Sequence, residues 1–422
     1  MRISLAGLAT LFAFASLAAA QPTYTKEVSR IFRAKCEQCH REGDIAPFAL
    51  KDYDTAVAWA DDIRTNINAK KMPPWKPVPG YGEFQNNFSL TDEEKQTIFD
   101  WIDAGTPQGD PADLLDPLEE KSEWPLGQPD LDLRMLQTFT PARGKDVYRC
   151  FVIPTGLDAG KYLSAIDVLP GNRSIVHHVL LYQDASGATD KLDGADGQPG
   201  YDCYGGPGIE INLNNLNATL AGWAPGQRTR LLPEGIGIEL LKGAKIIMQV
   251  HYFPQRATGE DQTRIGLYFQ KGKIEQRLFE IPIVNQSFKI PVGNEAYDVK
   301  ASLNVLPILS GQAIWIYPHM HLLGRKIKVE VTGPDKKVTP AIYIDNWDFN
   351  WQGAYTFVKP MVFAGGSTVR LTCTFDNSEN NPRNPNNPLV PVGWGENTTD
   401  EMCLAFVGVT LDFEKLIGVP QQ

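Results

Sequence analysis

From about residue 131 onwards, the chain consists of short runs rich in Val, Ile, Tyr and Phe that alternate with turns containing Gly and Pro. Examples are SIVHHVLLY, AKIIMQVHYF, QAIWIYPHMHLLG, STVRLTCTF and MCLAFVGVTLDF. Runs of this length and composition predict antiparallel strands packed as sandwiches. Because this part of the chain is too long for one small sandwich, we predict two all-β antiparallel sandwich domains, at 131–282 and 283–422.

The preceding part of the chain has a helical pattern. Apolar residues recur at helical spacing within 22–107, and LTDEEKQTIFDWIDAG begins with a Thr91–Glu94 capping box and ends at Gly105. Residues 111–130, rich in Pro, Asp and Glu, are typical of a linker. The predicted fold class is therefore multidomain, with a small all-α domain at 21–110 followed by two all-β sandwiches.

The first twenty residues have the pattern of a signal peptide, with Arg2, an apolar stretch from about Leu5 to Leu17 and small residues before Gln21. The alternative is an uncleaved anchor, but the stretch is short against the ~20 residues that a membrane helix needs. We expect a periplasmic or secreted protein without stable membrane insertion after signal removal. The net charge of −10 argues against a nucleic-acid partner.

The pentapeptide CEQCH has the C-x-x-C-H pattern of covalent heme attachment. Cys36 and Cys39 would form thioethers to the porphyrin and His40 would ligate the iron, since one helical turn presents all three to the same disc. A redox C-x-x-C and a zinc half-site are the alternatives. Neither is supported, because 21–110 contains no second Cys/His pair. We therefore predict one covalent heme c.

Met72 is the candidate for the opposite side of the heme, in the Pro-rich segment KKMPPWKP. Met/His ligation raises a heme potential; the alternative is that Met72 only packs. The order of heme-motif helix, Met loop and C-terminal helix resembles class I cytochrome c. Phe99 and Trp101 on the last helix are expected to pack near the first helix or the heme.

Five of the six histidines lie in the strand-like region, at His177, His178, His251, His319 and His321. Residues two apart in a strand face one side, so the last two can bind one ion together. Adjacent histidines face opposite sides unless the strand bends or ends there.

A methionine ligand would indicate copper that cycles through Cu(I), because imidazole suits several transition metals and thioether favours Cu(I). Met320 lies between two presumed ligands and is expected to point away from them. The residues alone do not choose among Met248, Met361 and Met402.

Residues 140–415 resemble the copper type II, ascorbate-dependent monooxygenases, typified by peptidylglycine α-hydroxylating monooxygenase and dopamine β-monooxygenase. The resemblance rests on landmarks in the family's order. They are His177-His178 in IVHHVLLY, AGWAPG at 221–226, His251 in QVHYF, the HMHLLG strand and TTDEMC at 398–403.

The resemblance implies two copper ions in separate domains. One would be bound by His177, His178 and His251. The other, where O₂ and substrate react, would be bound by His319, His321 and Met402. It also implies two disulfides, Cys150–Cys203 and Cys373–Cys403.

The sequence departs from the peptide-amidating members at their three substrate-carboxylate anchors. Tyr317, Leu404 and Phe406 stand where those members have Arg, Asn and Tyr. A buried anion without donors is costly, so a C-terminal glycine is not the expected substrate. The three residues indicate a more apolar pocket, unless they simply pack the core.

The predicted function is an exported copper monooxygenase that hydroxylates an aliphatic C–H bond of a small molecule or peptide with O₂. An external donor, ascorbate or a redox protein, would supply electrons through the fused heme. The first alternative is a non-catalytic heme/copper electron-transfer or copper-binding protein. A second alternative is that the heme serves a different partner. A heme oxidase or peroxidase is opposed by Met72, which would occupy the open iron face.

Overall fold

The computed structural model describes residues 21–42, 46–85, 87–116, 123–211, 215–225, 229, 231–253 and 258–420. The predicted signal peptide at 1–20 lies outside the described residues. The chain divides into a helical unit, formed by 1–42, 48–73 and 89–117, and a strand-rich unit, formed by 43–47, 74–88 and 118–422. Within the described ranges, no helix is long and apolar enough to cross a membrane.

The described part of the helical unit contains four α-helices. A π-helical turn at Tyr24–Val28 leads into α1 (Ser29–Lys35), followed by α2 (Tyr53–Ala58), α3 (Ala60–Asn68), α4 (Asp92–Asp103) and a 3-10 turn at Pro111–Asp113. The predicted capping box is confirmed. The Thr91 side chain accepts from the Glu94 N–H at 3.1 Å, and the Glu94 carboxylate accepts from the Thr91 N–H at 2.8 Å.

Trp101 is fully buried in the core of the helical unit. Its ring meets Phe32 of α1 edge-on, with centroids 6.3 Å apart, and its indole N–H donates to the Pro107 carbonyl at 3.1 Å. The predicted packing of Trp101 against the first helix is confirmed. Phe99 lies at the rim of this core, where Arg64 covers its ring at 5.1 Å.

The strand-rich unit contains two sandwiches. The first has sheets of order β1-β9-β3-β7-β10 and β5-β2-β8-β4-β6. Its strands are β1 (Leu131–Arg134), β2 (Val147–Pro154), β3 (Lys161–Leu169), β4 (Val176–Asp184), β5 (Tyr201–Asp202), β6 (Thr219–Trp223), β7 (Ile236–Leu240), β8 (Lys245–Tyr252), β9 (Arg264–Phe269) and β10 (Gln276–Arg277). All pairs are antiparallel except β10 with β7.

The second sandwich has sheets of order β11-β20-β14-β17 and β13-β18-β15-β16, with a small β12-β19 pair. Its strands are β11 (Phe279–Asn285), β12 (Lys289–Ile290), β13 (Tyr297–Asn304), β14 (Gly311–His319), β15 (Gly324–Thr332), β16 (Val338–Ile344), β17 (Tyr355–Phe363), β18 (Thr368–Phe375), β19 (Val392–Gly393) and β20 (Cys403–Leu411). Helix α5 (Phe413–Ile417) follows β20. Each sandwich encloses its own apolar core.

The chain passes from the first sandwich to the second between Arg277 and Phe279. Strand β10 still pairs with β7, whereas β11 pairs with β20 along its whole length. The second sandwich therefore begins a few residues before the predicted boundary at 283.

Residues 74–88 belong to the strand-rich unit. The sequence had instead predicted one contiguous helical domain over 21–110. Pro77 and Phe84 form bridges to Ile344 and Phe357 of the second sandwich. Trp75 meets Tyr355 edge-on, with centroids 5.3 Å apart. The proline-rich segment cannot continue a helix, so its aromatic rings are buried against β16 and β17 instead.

Both disulfides implied by the family resemblance are present. Cys150–Cys203 joins β2 to the residue after β5, and Cys373–Cys403 joins the two sheets of the second sandwich through β18 and β20. A loop closure of this kind is typically worth ~2–4 kcal/mol. The second bridge fixes the start of β20, directly after Met402.

Candidate metal centres

Three histidines of the first sandwich converge on one point. His178 on β4 lies opposite His251 on β8, and the register shifts by one residue between Val176 and His178. His177 is the extra residue of this β-bulge, and a bulge re-aims side chains. This β-bulge is the kind of strand bend that allows two adjacent histidines to face the same site.

The histidine nitrogens of this cluster lie within bonding range of one ion. Nδ1 of His178 is 3.1 Å from Nδ1 of His177 and 3.4 Å from Nδ1 of His251, and one ligand atom from each ring lies within 4.8 Å of the others. Burial, followed by the neighbouring His251, lowers the pKa of His177 to about 3, and burial holds the pKa of His178 well below its usual range. Neutral imidazoles are the form that binds metal.

Two residues that sequence reasoning missed hold His251 in place. Its Nε2 is 3.3 Å from the Asp146 carboxylate, a contact that lacks the alignment of a hydrogen bond. Tyr148 stacks on the His251 ring at 4.2 Å, and the Tyr148 hydroxyl donates to the Glu396 carbonyl at 2.6 Å. Tyr148 lies directly opposite His251 in the β2–β8 register, so only strand pairing could have revealed it.

His319 is the last residue of β14, and His321 lies two residues beyond it, outside the strand. Their ring centroids are 5.1 Å apart and the rings are perpendicular. Nδ1 of His319 is 2.5 Å from Oε1 of Gln352, and Nδ1 of His321 is 3.1 Å from the Asp400 carbonyl. Both contacts leave Nε2 available. Burial is the main cause that lowers the pKa of His319 to about 3 and that of His321 to about 4.

Met402 immediately precedes β20, which pairs with β14. Leu404 lies opposite His319, and Met402 is two residues before Leu404, so an extended chain directs both to one face. The Glu401 carboxylate accepts from the backbone N–H of His321 at 2.9 Å and of Met402 at 3.3 Å. Glu401 thereby ties the methionine segment to the histidine segment.

The other candidate methionines are committed to packing. Met248 is fully buried in the first core, and Met320, which was expected to point away from the histidines, is fully buried in the second. Met361 packs against the second core, opposite Ala313. Met402 is the one of these four outside both core clusters.

Phe349 lies between the two histidine groups. Its ring stacks on His177, with centroids 5.0 Å apart and planes at 16°, and meets His321 edge-on at 5.8 Å. A single aromatic ring therefore spans from the histidines of the first sandwich to those of the second. Nothing in the local sequence distinguishes Phe349 from a core residue.

In the helical unit, the C-x-x-C-H segment forms one turn after α1. The N–H groups of Cys39 and His40 both donate to the Cys36 carbonyl, at 3.1 and 3.0 Å. Neither cysteine forms a disulfide, and burial raises the pKa of Cys36 to about 12. Nδ1 of His40 is 3.1 Å from the Phe48 carbonyl, which leaves Nε2 free.

Met72 follows α3, and its side chain is 41% exposed. Its N–H donates to the Asn66 carbonyl at 3.2 Å. Phe48, which contacts the His40 ring, is stacked on Trp59 at 4.1 Å. These side chains provide thiols, a free imidazole nitrogen, a thioether and apolar rings, and this donor set fits a heme c.

A cavity of about 450 Å³ lies between the two sandwiches. Tyr317 and Phe406, two of the three residues at the family's anchor positions, line it, and the Tyr317 ring lies 6.4 Å from that of His319. Most of the lining is aliphatic or aromatic. The interpretation of these positions as an apolar pocket is supported for Tyr317 and Phe406.

The fold and these histidine groups define a class of protein with two facing sandwiches and one candidate transition-metal centre in each. Residues 282–409 match the family described as Copper type II ascorbate-dependent monooxygenase, C-terminal domain. This match supports the family assignment and copper as a cofactor.

The chain is also similar to curated proteins. It is 24% identical over 320 residues to human DBH-like monooxygenase protein 1, covering 70% of this chain and 49% of that protein. It is 23% identical over 303 residues to the mouse protein of that name, covering 66% and 46%. The chain thus spans about half the length of the curated relatives it matches.

Among solved structures, a peptide-N(4)-(N-acetyl-beta-D-glucosaminyl) asparagine amidase is 10% identical. That comparison covers 67% of this chain and 95% of the amidase, with a TM-score of 0.30. A TM-score this low supports no inference about function.

Proposed function

We propose that this protein is a copper-dependent monooxygenase that hydroxylates an aliphatic C–H bond of an organic substrate with O₂. The observation that carries the proposal is the pair of histidine groups on facing sandwiches, separated by Phe349. The match of 282–409 to a copper monooxygenase family supports the same reaction class.

Nδ1 atoms of His177, His178 and His251 would hold one copper ion, and His319 and His321, through Nε2, with the Met402 thioether would hold the other. When bound, the copper ions supply one-electron redox chemistry and activation of O₂.

The surrounding residues hold these histidines in the orientation and tautomer that bind metal. Gln352 and the Asp400 carbonyl fix the ring orientations of His319 and His321 through Nδ1. Such outer hydrogen bonds set the tautomer of a metal-binding histidine. Burial of the site also excludes water from the reacting groups.

The proposed electron path would begin at a heme c attached through Cys36 and Cys39, for which His40 and Met72 would be the iron ligands. The turn that presents Cys36, Cys39 and His40, and the anchored His40 ring, support this assignment. The external donor would be ascorbate or a redox protein. The cysteine pairs at 150–203 and 373–403 fit an oxidising compartment, in line with a periplasmic or secreted protein.

The decisive experiment measures bound copper, O₂ uptake and ¹⁸O incorporation from ¹⁸O₂ into products after incubation with host-cell extract. We expect two coppers per chain and labelled products. Met402→Ala should abolish labelling while the copper at His177 remains. Met361→Ala, a methionine that packs against the core, is the matched control and should retain labelling.

A non-catalytic heme/copper carrier is the second candidate. Replacement of the carboxylate anchors by Tyr317, Leu404 and Phe406 favours it, because the side chains that bind a peptide carboxylate are absent at these positions. Two bound coppers without O₂ uptake or labelled product would establish the carrier and overturn the monooxygenase.

Heme delivery of electrons has a separate test. The Cys36→Ala/Cys39→Ala double variant, loaded with copper, should lose turnover with a protein donor. Unchanged steady turnover with that donor would show that the heme does not reduce the coppers.

A further inference from the structure

We propose that the cavity between the sandwiches binds an elongated amphiphile whose protonated amine pairs with Glu280 and whose apolar body extends toward His319. The inference deepens the proposed monooxygenase function and rests on it for the role of His319. It names the class of molecule that the cavity would admit.

The sheet that carries His319 has two distinct faces. On β11, Phe279, Ile281 and Ile283 pack into the second core, so the alternate residue Glu280 belongs to the opposite face. Tyr317 and Phe406 lie opposite each other on β14 and β20 and line the same cavity as Glu280. The cavity and His319 therefore share one face of this sheet.

Glu280 is an acid without a partner in an apolar setting. Within the described ranges, no hydrogen bond or ion pair reaches its carboxyl, and it is only partly covered because it borders the cavity. Two other hydroxyls of the lining are already engaged. The hydroxyls of Ser164 and Thr229 donate to the carbonyls of Tyr268 and Ile166, both at 3.1 Å.

Tyr317 adds a second open polar group. Its hydroxyl forms no hydrogen bond with any described residue. Burial, followed by the Glu280 charge, raises the pKa of Tyr182, which faces Glu280 from the first sandwich. A protonated amine has three donors, enough for the carboxylate and the Tyr317 oxygen together.

The chemistry of Glu280 selects a cation over other head groups. Burial raises the pKa of Glu280 to about 8, so without a ligand the acid is largely neutral at neutral pH. A bound ammonium restores the carboxylate by direct pairing. A ligand carboxylate would lie among described lining residues that include no Lys or Arg, where an unpaired anion is costly. An alcohol would supply only a neutral hydrogen bond, which is roughly half as strong.

The strand register sets how long a ligand must be to reach from Glu280 to His319. Glu280, Gly408 and Trp315 lie in one row across the sheet, and His319 is four residues beyond Trp315 on β14. At ~3.3 Å per residue, the two rows are ~13 Å apart along the strands, and β11 and β14 are two strand spacings, ~10 Å, apart across the sheet. A short amine such as phenethylamine cannot span that separation, whereas an alkyl chain such as that of decylamine can.

The test measures binding by calorimetry to the copper-loaded full chain under nitrogen, so that turnover does not contribute. The probes are decylamine, decanol, decanoate and phenethylamine, each below its micelle concentration. We expect decylamine to bind at least about tenfold tighter than the other three, since charge-assisted hydrogen bonds exceed neutral ones by this order. Equal binding of decylamine and decanol would overturn the proposal.

Three variants locate the site. Glu280→Gln should weaken decylamine binding by about tenfold or more, and Tyr317→Phe by a smaller factor. Glu330→Gln removes a carboxylate that pairs with Lys328 on β15 and serves as the matched control with unchanged binding. Thermal unfolding of each variant establishes that it is folded. Undiminished binding to folded Glu280→Gln would refute the site.

The pH dependence and the product separate this site from the proposed activity. Decylamine affinity of the parent protein should rise between pH 6 and pH 8.5 as Glu280 ionises, and the Glu280→Gln variant should lack that rise. Glu280-dependent binding without ¹⁸O incorporation would support the amine site and contradict the monooxygenase. Hydroxylation of some substrate, with no amine binding that depends on Glu280, would support the monooxygenase and contradict the amine site.

Discussion

Replacing Glu280 by Gln should change how the stability of the strand-rich unit depends on pH. The pKa of this carboxyl rises from an ordinary 4.5 to about 8, because burial at the cavity penalises the charged form. The folded protein therefore holds a proton that the unfolded chain releases between these two values. Stability consequently falls as pH rises from about 4.5 to about 8.

The size of the effect follows from the two pKa values. One pKa unit corresponds to ~1.4 kcal/mol, so the parent protein should lose roughly 3–4 kcal/mol at this group between pH 5 and pH 8.5. The amide of Glu280→Gln does not ionise. Relative to the parent, the variant should therefore gain roughly 3–4 kcal/mol in free energy of unfolding over the same interval.

Urea denaturation of the parent, Glu280→Gln and Glu330→Gln at both pH values, followed by tryptophan fluorescence, measures this difference. The Glu330→Gln variant corrects for the loss of one surface carboxylate beside Lys328. The reasoning is refuted if the stability difference between parent and Glu280→Gln stays within about 1 kcal/mol across the interval.

Three further outcomes are expected. Cys373→Ala/Cys403→Ala opens a bridge with a sequence separation of 30 and should cost about 3–4 kcal/mol in urea denaturation; an unchanged midpoint would contradict a stabilising role. Phe349→Leu removes the ring between the histidine groups, so stopped-flow electron transfer between the coppers should slow at constant copper content; an unchanged rate would exclude a path through this ring. Cys36→Ala/Cys39→Ala should lose the covalent heme band on a denaturing gel, and its persistence would exclude attachment at these thiols.

Several features were predictable because they depend on neighbouring residues. The capping box at Thr91 needs only the spacing to Glu94, and the strand-like runs needed only their composition and turns. The spacing of His319 and His321 likewise indicated that the two rings lie close together, although His321 lies beyond the end of β14. Local periodicity decides each of these features, so the sequence alone was enough.

Other features depend on which strands pair and how the sheets face. The bulge that turns His177 toward His178 is a register shift against β8, and adjacent residues alone predict opposite sides. Phe349 and Gln352 reach the histidines from a segment about 30 residues away from His319 along the chain, and Asp146 is more than 100 residues away from His251.

The cavity with its unpaired acid is also a product of tertiary structure. Glu280 lies in a strand whose sequence, FEIPIVN, gives no sign that the acid borders a cavity. The sequence by itself determined the elements, the heme-attachment motif and the candidate metal-binding residue types. Strand register and the packing of one sandwich on the other decided which side chains meet, because those contacts join residues far apart in the chain.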